Sequence, residues 1–189
     1  GGDWQESYAS CTLADYDNDG RLDIFISTVY GGDYSRLYHN DGIGTTVSGR
    51  TVWKFSNVTT GEGLDLLGPT YQAGWGDYDN DGDMDLVTNG KLFENLGNNN
   101  HWLKLRLIGN GQTVNRAAIG AQARIEVPEI GIVARQVSSG VGQGNQNELT
   151  LHFGLGAHDS TVEVRIAWPD GTAQTISSEV DRLVVVEQE

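Results

Sequence analysis

The sequence predicts an all-β protein made of two parts. The chain contains 26 Gly and only three Pro, and short runs of alternating apolar residues lie between turn signals, as is typical of β-strands. Residues 14–24 recur in similar form as residues 76–86, so the first part is an internal repeat. From Trp102 onward the alternation becomes more regular, which indicates a second part of a different construction.

The repeat has the length of a blade-like or solenoid-like unit, since Asp77 follows Asp15 after 62 positions. Downstream of each Asp-rich segment, Leu37-Tyr-His-Asn matches Leu92-Phe-Glu-Asn. The second copy has counterparts of only three of the strands predicted in the first. The four strands predicted in the first copy would form one antiparallel blade, and they lie near residues 10–14, 22–28, 36–40 and 51–59.

The second part shows the period of half-buried strands. Leu103, Leu105 and Leu107 alternate with Lys104 and Arg106, and similar alternation recurs near residues 123–127, 149–153, 162–168 and 183–186. Pro169-Asp-Gly171 is a turn signal. Six or seven short strands with one buried face predict a small β-sandwich. We therefore expect two domains, residues 1–99 and residues 100–189.

Two loops carry the pattern Asp-x-Asp-x-Asp-Gly-x-x-Asp. Closely spaced carboxylates on a tight loop supply the six to eight oxygens that Ca²⁺ takes. Positions 1, 3, 5 and 9 would bind through side chains, and position 7 would bind through its backbone carbonyl. Gly20 and Gly82 stand where the chain must turn sharply. The predicted ligands of the two calcium ions are Asp15, Asp17, Asp19, Arg21 and Asp23 in the first loop and Asp77, Asp79, Asp81, Asp83 and Asp85 in the second.

Other metals and another calcium motif fit less well. Magnesium prefers a near-ideal octahedron and retains its waters, and zinc favours His or Cys ligands, of which neither loop has any. An EF-hand needs a Glu at position 12 and flanking helices. Position 12 is Ile26 in the first loop and Thr88 in the second, and both loops run into apolar strand-like residues. The EF-hand interpretation therefore fails.

Composition excludes several classes of partner. The formal net charge of −14 argues against nucleic acid and anionic membranes, which require a basic face. No apolar run approaches the roughly 20 residues that span a bilayer. A single cysteine, Cys11, rules out an intramolecular disulfide, and we expect it to be a small buried residue. Gly1 and Gly2 suggest a processed or truncated start, so any secretion signal would lie outside these residues.

No catalytic motif stands out, so we expect no enzyme. The four His residues have no fixed ligand spacing and are expected in surface or satisfied polar roles, with His152 on the outer face of a strand. A hydrolase is the least favoured function, because calcium already explains the clustered carboxylates. A calcium-dependent carbohydrate-binding module is the main alternative, because some of the five Trp could form a glycan platform, although Trp75 and Trp168 are expected in the core. Asn57-Val-Thr59 is a sequon for N-glycosylation.

The loop residues resemble the FG-GAP/VCBS repeats of integrin-like β-propellers. The second part contains the motifs Asn100-His-Trp-Leu-Lys-Leu, Ile119-Gly-Ala-Gln-Ala-Arg, Ser139-Gly140, Gln146-Asn-Glu-Leu149, Leu151-His-Phe-Gly-Leu-Gly156 and Trp168-Pro-Asp-Gly-Thr172. With these motifs, residues 101–186 resemble the ASPIC/UnbV domain. Their order is similar to that of the cartilage-acidic-protein-like family, and the resemblance implies a partial β-propeller of about two blades with calcium loops plus a small C-terminal β-sandwich. It also implies a secreted or cell-surface adhesion or interaction module that contacts proteins or glycans.

Fewer than two complete blades cannot close a ring, and open strands are exposed to pairing. Three explanations remain open. The chain is a C-terminal piece of a longer protein, its open blades pair with other copies to give an oligomer or a filament, or a strand near residues 4–10 completes the second blade while the sandwich covers the remaining edge.

Overall fold

A computed structural model describes residues 8–65 and 67–189. Within these residues the protein is all-β, with strands arranged in four sheets. The strands of the first half are β1 (Tyr8–Ala14), β2 (Asp23–Thr28), β3 (Arg36–Thr45), β4 (Thr51–Asn57), β5 (Ala73–Gly76), β6 (Asp85–Thr88) and β7 (Lys91–Phe93). Those of the second half are β8 (His101–Ile108), β9 (Gln122–Val127), β10 (Gly131–Gln136), β11 (Leu151–Gly156), β12 (Val162–Ala167), β13 (Ala173–Ser178) and β14 (Arg182–Glu187).

The first sheet is an antiparallel meander in the order β1-β2-β3-β4. It confirms the predicted four-stranded blade. Because side chains alternate across a strand, Phe25 and Leu37, which pair in register, point to one face and are buried there. Leu13 and Ile24, also a register pair, lie on the opposite face, which is more exposed.

The second sheet has the order β5-β6-β7 and, in the described part of the chain, ends at β7. It confirms that the second copy of the repeat has counterparts of three strands. The buried face of the first sheet packs against Trp75 and Leu86 of the second. Phe25 meets the Trp75 ring edge-on, with centroids 6.4 Å apart. The two sheets therefore stack like successive blades, and they share one apolar core.

The seven strands of the second half form two sheets, β11-β8-β14 and β10-β9-β12-β13. Strand β14 runs parallel to β8, and the other pairings are antiparallel. The predicted alternation is confirmed, because Leu103, Leu105, Leu107, Ile125 and Val164 all enter one core between the sheets. This is the predicted small sandwich, with its own core separate from that of the blades.

Two expectations about the first strand need correction. Cys11 is exposed, because it pairs with Ile26 on the open face of the first sheet. Tyr8 and Ser10 pair with Thr28 and Ser27 in the first blade, so this stretch does not complete the second blade. Residues 4–7 of that proposed strand lie outside the described residues.

The segment before β11 joins the sandwich to both blades. The Asn147 side chain accepts a hydrogen bond from the Thr12 hydroxyl (2.9 Å) and donates one to the Leu13 carbonyl (3.0 Å). It also accepts one from the backbone N–H of Trp75 (3.1 Å). The backbone N–H of Glu148 donates to the Trp75 carbonyl (2.9 Å). These bonds hold the outer face of the β11-β8-β14 sheet over the two Asp-rich loops.

Candidate metal centre

Each Asp-rich loop connects the first two strands of its blade. The backbone adopts the same conformation in both, with positive φ at Asn18 (59°) and Gly20 (91°) and again at Asn80 (63°) and Gly82 (97°). Asn and Gly adopt this left-handed region most readily. The repeated sequence therefore gives a repeated turn, as the two Gly positions predict.

In the first loop the turn gathers three carboxylates. One oxygen from each of Asp15, Asp17 and Asp23 lies within 4.8 Å of the others. Backbone amides fix the outer members: Asp23 accepts hydrogen bonds from the N–H groups of Tyr16 (3.2 Å) and Asn40 (2.7 Å). Oδ2 of Asp15 accepts one from Gly20 (3.0 Å).

The second loop repeats this construction. Asp77, Asp79 and Asp85 bring oxygens within the same 4.8 Å of one another. Asp85 accepts hydrogen bonds from the N–H groups of Tyr78 (3.0 Å) and Asn95 (2.8 Å), and Oδ2 of Asp77 accepts one from Gly82 (3.0 Å). The structure therefore brings together the residues at positions 1, 3 and 9 of both loops.

The residues at positions 5 and 7 behave differently. Asp19 accepts a hydrogen bond from the N–H of Arg21 (2.8 Å) and pairs with the Arg21 guanidinium. Asp81 likewise accepts one from the N–H of Asp83 (2.9 Å). Neither joins the three-carboxylate group of its loop. Metal binding through the carbonyls of Arg21 and Asp83 stays a prediction.

The first cluster contains buried oxygens without a partner. Oδ1 of Asp15 and Oδ1 of Asp17 are buried and have no hydrogen-bond partner among the described residues. Burial raises the pKa of Asp15 to about 7, with Arg135 opposing and the neighbouring Asp residues adding to the rise. Burial also raises the pKa of Asp23 to about 7. Burying several carboxylates together without a counter-charge is unfavourable, and a cation that binds oxygen ligands would compensate them. Ca²⁺ suits such a cluster, because it takes six to eight oxygens in a flexible geometry.

His39 lies beside this cluster, where two carboxylates satisfy its ring nitrogens. Its Nε2 lies 3.1 Å from Oδ2 of Asp17, and its Nδ1 lies 2.9 Å from Oδ1 of Asp41. His39 also forms a group with Asp17 and Asp19 close enough to hold a metal. The sequence repeat could have indicated this position. Asn40, the residue after His39, donates its N–H to Asp23, just as Asn95 of the second copy donates to Asp85.

Three residues of the sandwich were missed as parts of the site. Lys104 lies 2.7 Å from Oδ2 of Asp77, and Arg135 lies 3.0 Å from Oδ2 of Asp15. Nε2 of His152 donates to the Gly82 carbonyl (2.9 Å). His152 lies on the outer face of β11, as predicted, in register with Lys104. The loops cover that face, so His152 is buried and does not lie at the surface. Burial lowers its pKa to about 4.

The loops also contact each other. Asn18 donates from Nδ2 to Oδ1 of Asp83 (2.8 Å) and to the Gly82 carbonyl (3.3 Å). Asn98 and Asn100, in the connection between the second blade and the sandwich, donate to the Asp17 carbonyl (2.5 and 2.8 Å). The two candidate centres therefore form one polar layer between blades and sandwich.

Fold and site together define an all-β protein of stacked blades with Asp-rich loops and an attached sandwich. Residues 15–88 match the family model of the FG-GAP-like repeat, and residues 111–189 match that of ASPIC and UnbV. The chain therefore carries these two elements in the predicted order, which confirms both resemblances. Its place in the cartilage-acidic-protein-like family stays a prediction. No curated protein matches the chain.

FG-GAP-like repeats are typical of extracellular or cell-surface proteins and suggest an adhesion or protein-interaction module. Across the described residues, no helix is long and apolar enough to cross a bilayer.

Proposed function

We propose that the chain is a calcium-binding extracellular interaction module, with blades in residues 1–99 and the sandwich in residues 100–189. The observation that supports this most is the duplicated carboxylate cluster, with the partnerless oxygens of Asp15 and Asp17 buried in the first copy. Bound cations would compensate these charges and fix the loop geometry. The metal then has a structural role, and the module performs no catalytic step.

Calorimetric titration with Ca²⁺ tests the metal sites. We expect two equivalents, with dissociation constants on the order of 10⁻⁴–10⁻³ M as in extracellular modules. Asp17→Ala and Asp79→Ala should each remove one equivalent, because each takes one carboxylate from a different cluster. Retention of two equivalents in both variants would overturn the assignment.

The interaction surface is proposed on the open side of the first blade. Trp53 and Phe55 of the edge strand β4 are 63% and 41% exposed, and Ile43, opposite Trp53, is 68% exposed. Exposed apolar side chains grouped in this way mark contact surfaces. A protein partner at the cell surface or in the matrix is the occupant that we propose.

Self-association is part of the proposal, because within residues 8–65 and 67–189 the second sheet has three strands and ends at β7. Edge strands can pair with another chain, which would give an oligomer or a filament. Light scattering in the presence of Ca²⁺ should then show species larger than one chain. A monodisperse monomer at all concentrations would contradict this part.

Carbohydrate binding is the second candidate. An open cleft of about 590 Å³ beside the second loop is lined by Asp77, exposed Tyr78, Gln146 and Glu148, a mixture of aromatic and polar groups. Such mixtures suit sugar rings and hydroxyls. Calcium-dependent retention on a polysaccharide matrix, abolished by Tyr78→Ala but kept in Tyr30→Ala as an exposed control, would favour this candidate over protein binding.

A further inference from the structure

A layer of buried charge lies between the blades and the sandwich. The Lys104 side chain is 3% exposed and its partner Asp77 is fully buried, with Nζ 2.7 Å from Oδ2. The Arg135 side chain is 12% exposed and its partner Asp15 is fully buried, with Nη2 3.0 Å from Oδ2. Charged side chains are almost never buried without a compensating partner. In each of these two contacts, a cation of the sandwich therefore compensates a carboxylate of a blade loop.

The two basic residues reach equivalent atoms. Asp15 and Asp77 are the first residues of their loops, and in both the Oδ2 atom also accepts the N–H of the loop glycine. Lys104 comes from β8 and Arg135 from β10, which belong to different sheets of the sandwich. The sandwich thus supplies one cation to the same position of each loop, although it contains no repeat that would impose this match.

Strand β11, which lies between the two cations, also contacts the first loop. Its Gly154 N–H donates to Oδ2 of Asp15 (3.2 Å), and its Gly156 N–H donates to the Asn18 carbonyl (2.8 Å). A Cβ on Gly154 would lie 2.4 Å from the Asn18 backbone and 2.5 Å from Oδ2 of Asp15. Glycine is therefore required for the strand to approach the loop this closely.

Arg135 is held in place by the sandwich itself. Its Nε donates to the His152 carbonyl (2.9 Å), and its guanidinium lies 5.7 Å from the centre of the Phe153 ring. Lys104 pairs in register with His152 on the same face of the sheet. Arg135 is thus held by the sandwich as well as by the loop, whereas Lys104 contacts Asp77 and, at 3.4 Å, Oε1 of Glu148.

We propose that Lys104 and Arg135 are internal counter-cations that position the first carboxylate of each loop and attach the sandwich to the blades. They neutralise one oxygen of Asp77 and of Asp15, while the clusters of the same loops stay open for a bound cation. Blade–sandwich attachment is then maintained without metal, and metal in the loops strengthens it. The part that concerns metal rests on the proposed function.

Loss of either cation leaves a buried carboxylate uncompensated, which is strongly destabilising. A bound metal ion would supply part of the missing charge. The inference therefore predicts that the stability of the variants depends more on Ca²⁺ than does that of the original chain.

Thermal unfolding of the full chain in EDTA and in saturating CaCl₂ tests this. Lys104→Met and Arg135→Met remove the charge and keep a long apolar stem. In EDTA we expect each to lower Tm by about 10 °C or to separate the single transition into two. Lys91→Met and Arg165→Met, at exposed positions, should stay within about 2 °C of the original chain. Arg135→Lys keeps a cation and should recover most of the loss.

The EDTA series tests the attachment independently of calcium binding. Unchanged melting of Lys104→Met and Arg135→Met in EDTA would overturn it, and so would a loss in Arg135→Lys as large as in Arg135→Met. In CaCl₂ both Met variants should gain about 5 °C more than the original chain. An equal gain in Tm in the variants and the original chain would overturn the inference that bound metal replaces part of the missing charge. A chain that binds no Ca²⁺ in calorimetry would contradict the proposed function and leave the EDTA result valid.

Discussion

The two Asp-rich loops share one sequence pattern but lie in different surroundings. Every residue of the first loop, 15–23, is buried or half-buried, whereas Tyr78, Asp79, Asn80 and Asp81 of the second are exposed. The carboxylate clusters have the same membership in both. The repeat therefore determines which oxygens come together, and the position in the fold determines how far they are removed from water.

The difference arises because the first loop is enclosed by its neighbours. Asn18 is buried against the second loop and strand β11, while its counterpart Asn80 is exposed. His39 stands beside Asp17 in the first loop, and the aligned residue of the second copy is Glu94. A buried cluster gains more from a cation than an open one, because water screens the open one already.

The largest expected effect is the difference in stability between alanine substitutions at the two loop glycines, Gly82 and Gly20. A Cβ on Gly82 would lie 1.8 Å from the Trp102 ring, whereas one on Gly20 would meet a flexible Ile130 methyl at 2.7 Å. Both share the cost of positive φ. We expect Gly82→Ala to lower the free energy of unfolding by about 4 kcal/mol and Gly20→Ala by about 2 kcal/mol. Urea unfolding in saturating calcium measures both, and equal losses would contradict the steric difference.

The second comparison concerns the two asparagines. Glycine adopts their positive φ freely, so Asn18→Gly and Asn80→Gly remove only the side chain. Asn18 donates to the Asp83 carboxylate and the Gly82 carbonyl, and we expect its loss to cost about 2 kcal/mol. The exposed Asn80 should cost at most about 0.5 kcal/mol. Similar losses in the two variants would show that burial does not distinguish the loops.

A third comparison uses pH, because the imidazole of His152 hydrogen-bonds to the second loop at the Gly82 carbonyl. Burial lowers its folded pKa to about 4, against about 6.5 in the unfolded chain. Between these values the unfolded state binds the extra proton, so this stabilisation is complete above pH 6.5 and is lost as pH falls toward 4. In His152→Gln the decline in stability between pH 8 and 5 should be shallower by about 2 kcal/mol.

The measurement is chemical unfolding at several pH values with Ca²⁺ present throughout. Comparison with the original chain removes the contribution of the Asp residues, which titrate in both proteins. Identical pH slopes would mean that His152 is not held neutral in the folded state.

The smallest effect is kinetic. Asp79 of the second cluster is exposed, whereas Asp17 at the same position of the first is half-buried. The cation of the second cluster should therefore leave first when a chelating dye is mixed with the loaded protein. We expect two release phases in stopped flow. Asp79→Ala should remove the fast phase and Asp17→Ala the slow one, and the reverse assignment would contradict the role of burial.

Much of the fold was predictable from local pattern. The strands of the first blade, the truncated second copy and the sandwich strands around Leu103 and Ile125 follow from period-two alternation and turn residues, which act within a few positions. The same holds for the loops, since Asp spacing and Gly20 fix the local turn. Cys11 was misjudged because alternation separates the two faces of a strand without saying whether a given face is covered.

Lys104, Arg135 and His152 could not be assigned for the same reason. Alternation placed Lys104 and His152 opposite the apolar core and left that side to solvent. The available signal was electrostatic, because carboxylate clusters in a chain with net charge −14 call for compensating cations. It does not indicate which of the 12 Lys and Arg residues lies near which Asp.

By itself, the sequence determined the two Asp-rich loops, the sharp turn at each loop glycine and the grouping of the carboxylates at positions 1, 3 and 9, because those contacts span fewer than ten residues and depend on backbone geometry. Only the tertiary structure decided that the first loop is enclosed, that residues 78–81 of the second are exposed, and that Asp15 and Asp77 face Arg135 and Lys104. Those pairs join residues 120 and 27 positions apart, and they form only when the sandwich packs onto the blades.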